Sequence, residues 1–168
     1  MLLRPARFSD LPGIIRLERT PAARQFVGQW SEERHRVTMA DPDTRYLVSE
    51  EAPERLQGYV ILRGIGEDSK AIELKRIVVA APGRGLGRQL LREVARMAFE
   101  ELRAHRLFLD VYEDNARARH LYTSLGFVVE GTMRDAACRD GAWCNLLLMS
   151  MLEEEYRQSP AGQMHPAS

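Results

Sequence analysis

Residues 81–97, APGRGLGRQLLREVARM, set three glycines and two arginines at the mouth of a long amphipathic helix. Glycine lets the chain turn sharply from strand to helix and leaves the first helical N–H groups open to a ligand. The N-terminus of a helix already carries the positive end of its macrodipole, so Arg84 and Arg88 are unfavourable there by about 0.3–1 kcal/mol. A bound anion is the expected compensation, and phosphate is the natural guest. The P-loop reading fails because no Gly-Lys-Ser or Gly-Lys-Thr follows. The dinucleotide reading fails because Arg88 stands where a third glycine belongs.

Working outward, residues 71–79 read as a strand, and residues 85–104 as a helix with Leu86, Leu90, Leu91, Val94, Ala95, Ala98 and Leu102 inward. Leu107-Phe108-Leu109-Asp110-Val111 reads as a buried strand, which makes a strand, helix, parallel-strand unit. Upstream, Tyr46-Leu47-Val48 and residues 56–62 are expected to pair as an antiparallel hairpin across the polar stretch 50–54. Residues 2–7 read as a short edge strand, Ser9-Asp10 as the cap of a helix carrying Leu11, Ile14, Ile15 and Leu17, and Thr20-Pro21 and Ser31-Glu32 as starts of two short helices. Downstream, residues 115–125 form a short helix stopped by Gly126, and two strands flank the Asp140-Gly141 turn. The order is mixed α/β.

The chain of 168 residues fits one domain with a core of its own. Lys and Arg total 24 and so do Asp and Glu, which excludes a general electrostatic grip on nucleic acid or on an anionic membrane. The first residues lack the apolar core of a signal peptide, and no run approaches the ~20 apolar residues of a membrane span, so a cytoplasmic location is expected. In the register of the Asp140-Gly141 turn, Cys138 faces Trp143 and Cys144 faces Ala137, so the two thiols point to opposite faces. A disulfide is disfavoured, and two cysteines cannot supply a zinc site; no metal is expected. Residues 158–168 hold too little apolar content to fold and are expected to form a flexible tail after a single domain over residues 1–157.

The segments VVAAPGRGLG (78–87) and NARARHLYTSLGF (115–127) resemble the GNAT superfamily of N-acetyltransferases, the second being the more specific. With EGTMRD, RDGAW and LLLMSML, the likeness is nearest to the branch that acetylates ribosomal-protein N-termini, polyamines and similar amines; it spans residues 1–155 and is strongest after Glu73. The resemblance implies a central mixed, mostly antiparallel sheet with helices on both faces, and a splayed parallel strand pair that holds acyl-CoA. It implies that the backbone of Ile77, Val78 and Val79 pairs with the pantetheine arm, and that Arg84, Gly85, Leu86, Gly87, Arg88 and Gln89 hold the pyrophosphate, with Asn115 and Ala118 also at the cofactor. One position departs from the family pattern, which places Gln or Arg three residues before the first glycine of Gly-x-Gly, where this chain has Pro82.

Asn115, Ala118, Tyr122 and Leu125 fall on one helix face. In enzymes resembling this one, the residue at the Tyr122 position protonates the departing thiolate. The attacking amine must be neutral, yet an alkylammonium has a pKa of about 10.4, so some group removes a proton. Asp110 and Glu73 are the two candidates, each with the alternative of an ion pair. A backbone N–H near Val78 or Val79 is expected to polarise the thioester carbonyl. Asn115 also fits an N-cap, Phe26, Trp30 and Tyr46 are candidates for an acceptor pocket or for core, and Arg117, Arg119 and Lys75 either reach the 3′-phosphate or are surface charges. The resulting expectation is direct, acetyl-CoA-dependent transfer to a primary amine of a small molecule, peptide or protein N-terminus; the alternative is a non-catalytic acyl-CoA-binding regulatory module. A homodimer is left open.

Overall fold

In a computed structural model, the described residues are 3–52 and 55–162; Leu2 of the expected edge strand, Pro53 and Glu54 of the hairpin turn, and tail residues 163–168 lie outside them. The chain runs β1 (Arg4–Pro5), α1 (Leu11–Glu18), α2 (Pro21–Arg24), α3 (Glu32–Ala40), β2 (Thr44–Ala52), β3 (Arg55–Arg63), β4 (Ala71–Val79), α4 (Leu86–Arg96), β5 (Arg106–Tyr112), α5 (Ala116–Ser124), β6 (Val128–Arg139), β7 (Ala142–Leu152) and α6 (Glu153–Gln158). The caps are those the sequence signals: Thr20 accepts from the Ala23 N–H, Ser31 from the Arg34 N–H and Asn115 from the Ala118 N–H. Asp10 behaves differently. Its carboxylate accepts from the Arg7 N–H and binds Arg4 instead of capping α1.

The strands form one seven-stranded sheet in the order β1-β2-β3-β4-β5-β7-β6. All pairs are antiparallel except β4 with β5, which are parallel and meet at only three positions, Ala71 with Arg106, Ile72 with Leu107 and Glu73 with Phe108. Beyond Glu73 the two strands diverge, leaving their C-terminal halves without a shared ladder. Ala80 donates to Gln57 on the β3 side, so by strand alternation Val79 and Ile77 turn their N–H and C=O groups into the gap.

Helices cover both faces. On one, α4 and α5 with the residues that follow them bury Leu90, Leu91, Val94, Ala98, Tyr122 and Leu125 against Leu107, Leu109 and Met149. The helix expected over 85–104 stays α-helical to Arg96 and then loosens into a π-helical turn, Met97–Glu101, which still buries Met97, Ala98 and Phe99. On the other face, α1 and α2 set Leu11, Ile14, Leu17 and Ala23 against Tyr46, Tyr59, Ile61 and Val78. The β6–β7 turn has φ of 52° at Asp140 and 79° at Gly141, and its register pairs Cys138 with Trp143 and Cys144 with Ala137, leaving both thiols free.

The C-terminal segment differs from the sequence expectation. α6 ends at Gln158, yet Ser159 and Ala161 are buried, and the Ser159 hydroxyl donates to Tyr156 O while accepting from the Ala161 N–H. Ser159 packs against Gly126, whose φ of 103° disfavours a side chain and whose missing Cβ lets Ser159 approach. A low apolar count misses this packing because a hydroxyl, its backbone partners and one small residue, Ala161, make the contacts.

A buried ionic group ties α1 to the sheet. Glu18, with a side chain 1% exposed, accepts from Arg76 and, at 2.5 Å, from the Tyr59 hydroxyl, and His35 Nε2 lies 3.2 Å away. Burial alone would raise the Glu18 pKa, but the hydrogen bonds and the Arg76 charge hold it below the usual carboxylate value. Tyr59→Phe deletes one hydrogen bond to this buried charge without opening a cavity. We expect a loss of about 1.5–3 kcal/mol in urea unfolding, with an unchanged m-value.

Candidate active site

The divergence of β4 and β5 opens a cleft of about 670 Å³. Its lining runs from Pro82 and Gly87 at the α4 turn, past Ile77, Val78 and Val79 of β4 and Asn115, Ala118 and Tyr122 of α5, to Asp110 and Tyr112 of β5 and the loop residues Phe26, Val27 and Gly28. Two βαβ-type connections therefore converge on one gap, with a helix N-terminus at one end and a carboxylate at the other.

At the phosphate end, Gly83 and Gly85 have φ of 88° and 84°, where a side chain would be strained, and open space surrounds the Cβ position of each. Gly85 N-caps α4 in this left-handed conformation; its carbonyl accepts from the Arg88 and Gln89 N–H groups, while those of Leu86 and Gly87 have no acceptor among the described residues. Arg84 is exposed beside them, whereas the Arg88 guanidinium donates to the Ser124 hydroxyl at 2.8 Å and bridges α4 to α5. Open amides, a helix N-terminus and two guanidinium groups form a donor set that fits a pyrophosphate. Leu86 and Gln89 belong to the same turn, which lies at the rim of the cleft and not on its floor.

At the reacting end, Tyr122 is buried and its ring packs 5.8 Å from that of Phe127. Its hydroxyl has no hydrogen-bond partner among the described residues and is not one of their sealed polar atoms, so it opens on the cleft. Burial, and then the nearby Asp110 charge, push the phenol pKa up, so Tyr122 stays protonated at neutral pH. Asp110 has no hydrogen bond or ion pair among the described residues; the protein around it raises its pKa, with Glu73 adding to the rise and Lys75 opposing it. Glu73 sits at the last rung of the parallel ladder, opposite Phe108, and is bound by Lys75 at 3.2 Å. The structure thus brings Asp110 and Tyr122 into one cleft and leaves Glu73 off its lining.

The other sequence candidates separate. Phe26 lines the cleft, its ring 6.0 Å from Tyr112. Tyr46 is core, its hydroxyl 3.1 Å from His35 Nδ1, and Trp30 lies behind the wall, stacked on Arg76. Arg117 is at the cleft and Lys75 is shared with Glu73, while Arg119 donates to Glu113 O. Two residues that sequence reasoning passed over also shape the site. Arg76 reaches the lining from inside the ionic group, and Arg139, from the far hairpin, binds Asp114 and Gln25 O and covers the Phe26 and Tyr112 rings at 5.6 and 4.9 Å. Arginine in an alternating apolar strand was a usable signal for Arg76; nothing local marks Arg139, whose partner Gln25 is 114 positions away.

This architecture is shared with known proteins. Residues 15–127 match the model of the acetyltransferase (GNAT) family. The spermidine N(1)-acetyltransferase of Vibrio cholerae is 30% identical over 128 residues, covering 74% of this chain and 73% of that protein. The L-amino acid N-acetyltransferase AaaT of Escherichia coli is 36% identical over a shorter span, 42% of this chain and 43% of that protein. A crystal structure of the Vibrio cholerae spermidine N-acetyltransferase with CoA and spermine superposes with a TM-score of 0.80 at 27% identity, covering 92% of this chain and 96% of that one. With the splayed strand pair, the glycine turn and this family match in place, the chain belongs to the acetyltransferase (GNAT) family and is an acetyl-CoA-dependent N-acetyltransferase.

Proposed function

We propose that this N-acetyltransferase takes a small primary amine at the Asp110 end of the cleft, with Tyr122 as general acid and Asp110 as the acceptor of the amine proton. The observation that carries the reading is that an unpaired carboxylate and an unpaired phenol face one gap between splayed strands.

Acetyl-CoA, when bound, supplies the acetyl group as a thioester. Arg84, the outward amides of the first turn of α4 and Arg88 bind its pyrophosphate, and the Val79 and Ile77 backbone groups orient the arm and donate to the thioester carbonyl. Asp110 takes one proton from the ammonium through water, which frees the nitrogen lone pair. The nitrogen then bonds to the acetyl carbon as the C–S bond breaks, Tyr122 donates its proton to the leaving sulfur, and the second nitrogen proton restores the phenol. The two groups help each other in sequence. While Asp110 is charged it holds the Tyr122 proton in place; once Asp110 is protonated, that restraint is gone and the phenol is a better acid when the sulfur leaves.

Arg84→Ala tests the pyrophosphate assignment. We expect acetyl-CoA affinity by titration calorimetry to fall about 10-fold or more, the equivalent of a lost charge-assisted contact of about 1.5–3 kcal/mol. Unchanged affinity removes Arg84 from the site. A cytoplasmic location and a homodimer complete the proposal. Two cysteines kept as free thiols accord with the first. The unpaired edge of β6, with exposed Val128 and Val129, supports the second.

A further inference from the structure

A guanidinium sits at the acceptor end of the cleft where proton transfer has no use for one. Arg76 leaves β4, its side chain is 7% exposed, and what remains accessible lies on the cleft. Its Nη1 donates to Glu18, which is itself fixed by Tyr59. The Trp30 ring lies 3.9 Å from Arg76 Cζ and sets the plane of the group. The opposite edge is free. Apart from the guanidinium's interaction with the Tyr59 hydroxyl beside Glu18, Nε and Nη2 take no acceptor among the described residues, and Nη2 lies beside Gly28 of the cleft lining, 3.5 Å from where a Cβ would stand. An arginine held at one edge by a carboxylate and on one face by an indole presents the other edge as a preset pair of donors, the geometry that takes a carboxylate two-pronged.

The remaining lining discriminates in the same direction. Asp110 and Asp114 are its acids, and Asp114 is bound by Arg139 at 2.5 Å. Lys75 adds a second cation next to Arg76. A polyamine would bring several positive charges to a lining in which Asp110 alone, among the described acids, is free of an ion pair, so its further ammonium groups would find no unpaired carboxylate there. Near Asp110, Phe26, Tyr112 and Leu146 offer an apolar wall instead.

We propose that the acceptor is an apolar α-amino acid. Its amine meets Asp110, its carboxylate lies on the Nε–Nη2 edge of Arg76, and its side chain packs on Phe26, Tyr112 and Leu146. Arg76 is then the residue that sets acceptor class, and Glu18 is its positioning residue. The proposal rests on the acetyltransferase reading of the cleft and departs from the polyamine named for the Vibrio cholerae relatives.

Initial rates with phenylalanine, phenylalaninamide and spermidine, read as free thiol, test it on the wild-type protein. The amide has the less basic amine and is the better nucleophile supply at neutral pH, so without carboxylate recognition it reacts at least as well as the acid. We expect phenylalanine to exceed both by about tenfold or more in kcat/KM. Titration of N-acetylphenylalanine and its amide into the protein with CoA reads the same recognition without turnover, and the acid is expected to bind about tenfold tighter. Replacing both charges together, Glu18→Gln with Arg76→Gln, should collapse both ratios towards one; should this variant fail to fold, the wild-type ratios decide. Equal use of acid and amide, a preference for spermidine, or equal binding of the two products overturns the proposal. Thiol release with spermidine but not phenylalanine defeats the Arg76 assignment alone, whereas no release with any amine counts against the transferase reading, and the product titration still decides Arg76.

Discussion

Tyr122→Phe should leave acetyl-CoA affinity within about twofold and lower turnover by about a hundredfold or more. The substitution removes one oxygen from a ring whose packing against Phe127 is apolar, and that oxygen makes no hydrogen bond to the described protein. Folding therefore has little to lose. The leaving thiolate, in contrast, loses its proton donor in a cleft where water is a poor substitute. Stability by urea unfolding, affinity by calorimetry and turnover by thiol release, measured on one preparation, separate the roles: equal turnover in the two proteins would remove Tyr122 from the mechanism.

Asp110→Asn should reduce kcat/KM by about 10²–10³-fold and change the shape of the pH profile. Asp110 must be ionised to accept a proton, so the wild-type rate rises with pH through its pKa; although the residue is exposed to the cleft, partial desolvation of its carboxyl, opposed by Lys75 and aided by Glu73, moves that inflection up from the ordinary value. In the variant this acid limb should disappear, leaving the titration of the amine itself. Glu73→Gln is the control, because Glu73 is paired with Lys75 and stands off the lining; its kcat/KM should stay within a few-fold. An acid limb that persists after Asp110→Asn and vanishes after Glu73→Gln would exchange the two assignments.

Much of the fold is legible in the sequence because its signals are local. The φ > 0 positions at Gly83, Gly85, Gly126 and the Asp140-Gly141 turn are each written in one or two residues, and so are the caps at Thr20, Ser31 and Asn115. The helix face carrying Asn115, Ala118 and Tyr122 follows from a period of 3.6 residues, and strand alternation puts Asp110 on the face opposite Leu107, Leu109 and Val111. These are short-range properties of the backbone and survive any tertiary arrangement.

What only the tertiary structure decided concerns choices among equals. Asp110 and Glu73 carry the same chemistry on neighbouring strands, and the length of the parallel ladder sorts them: three rungs keep Glu73 beside Lys75, and divergence beyond opens Asp110 to the cleft. Arg84 and Arg88 look alike until α5 places Ser124 within 2.8 Å of Arg88. Arg76, an anomaly in an apolar strand, acquires its orientation from Glu18 and Trp30 on separate elements, and Arg139 closes on Asp114 and Gln25 from across the chain. Sequence alone determined the elements and the chemistry each can carry, since both reside in neighbouring residues; the partner each charge takes depends on distances set by how those elements pack, and that information is held by no segment of the chain alone.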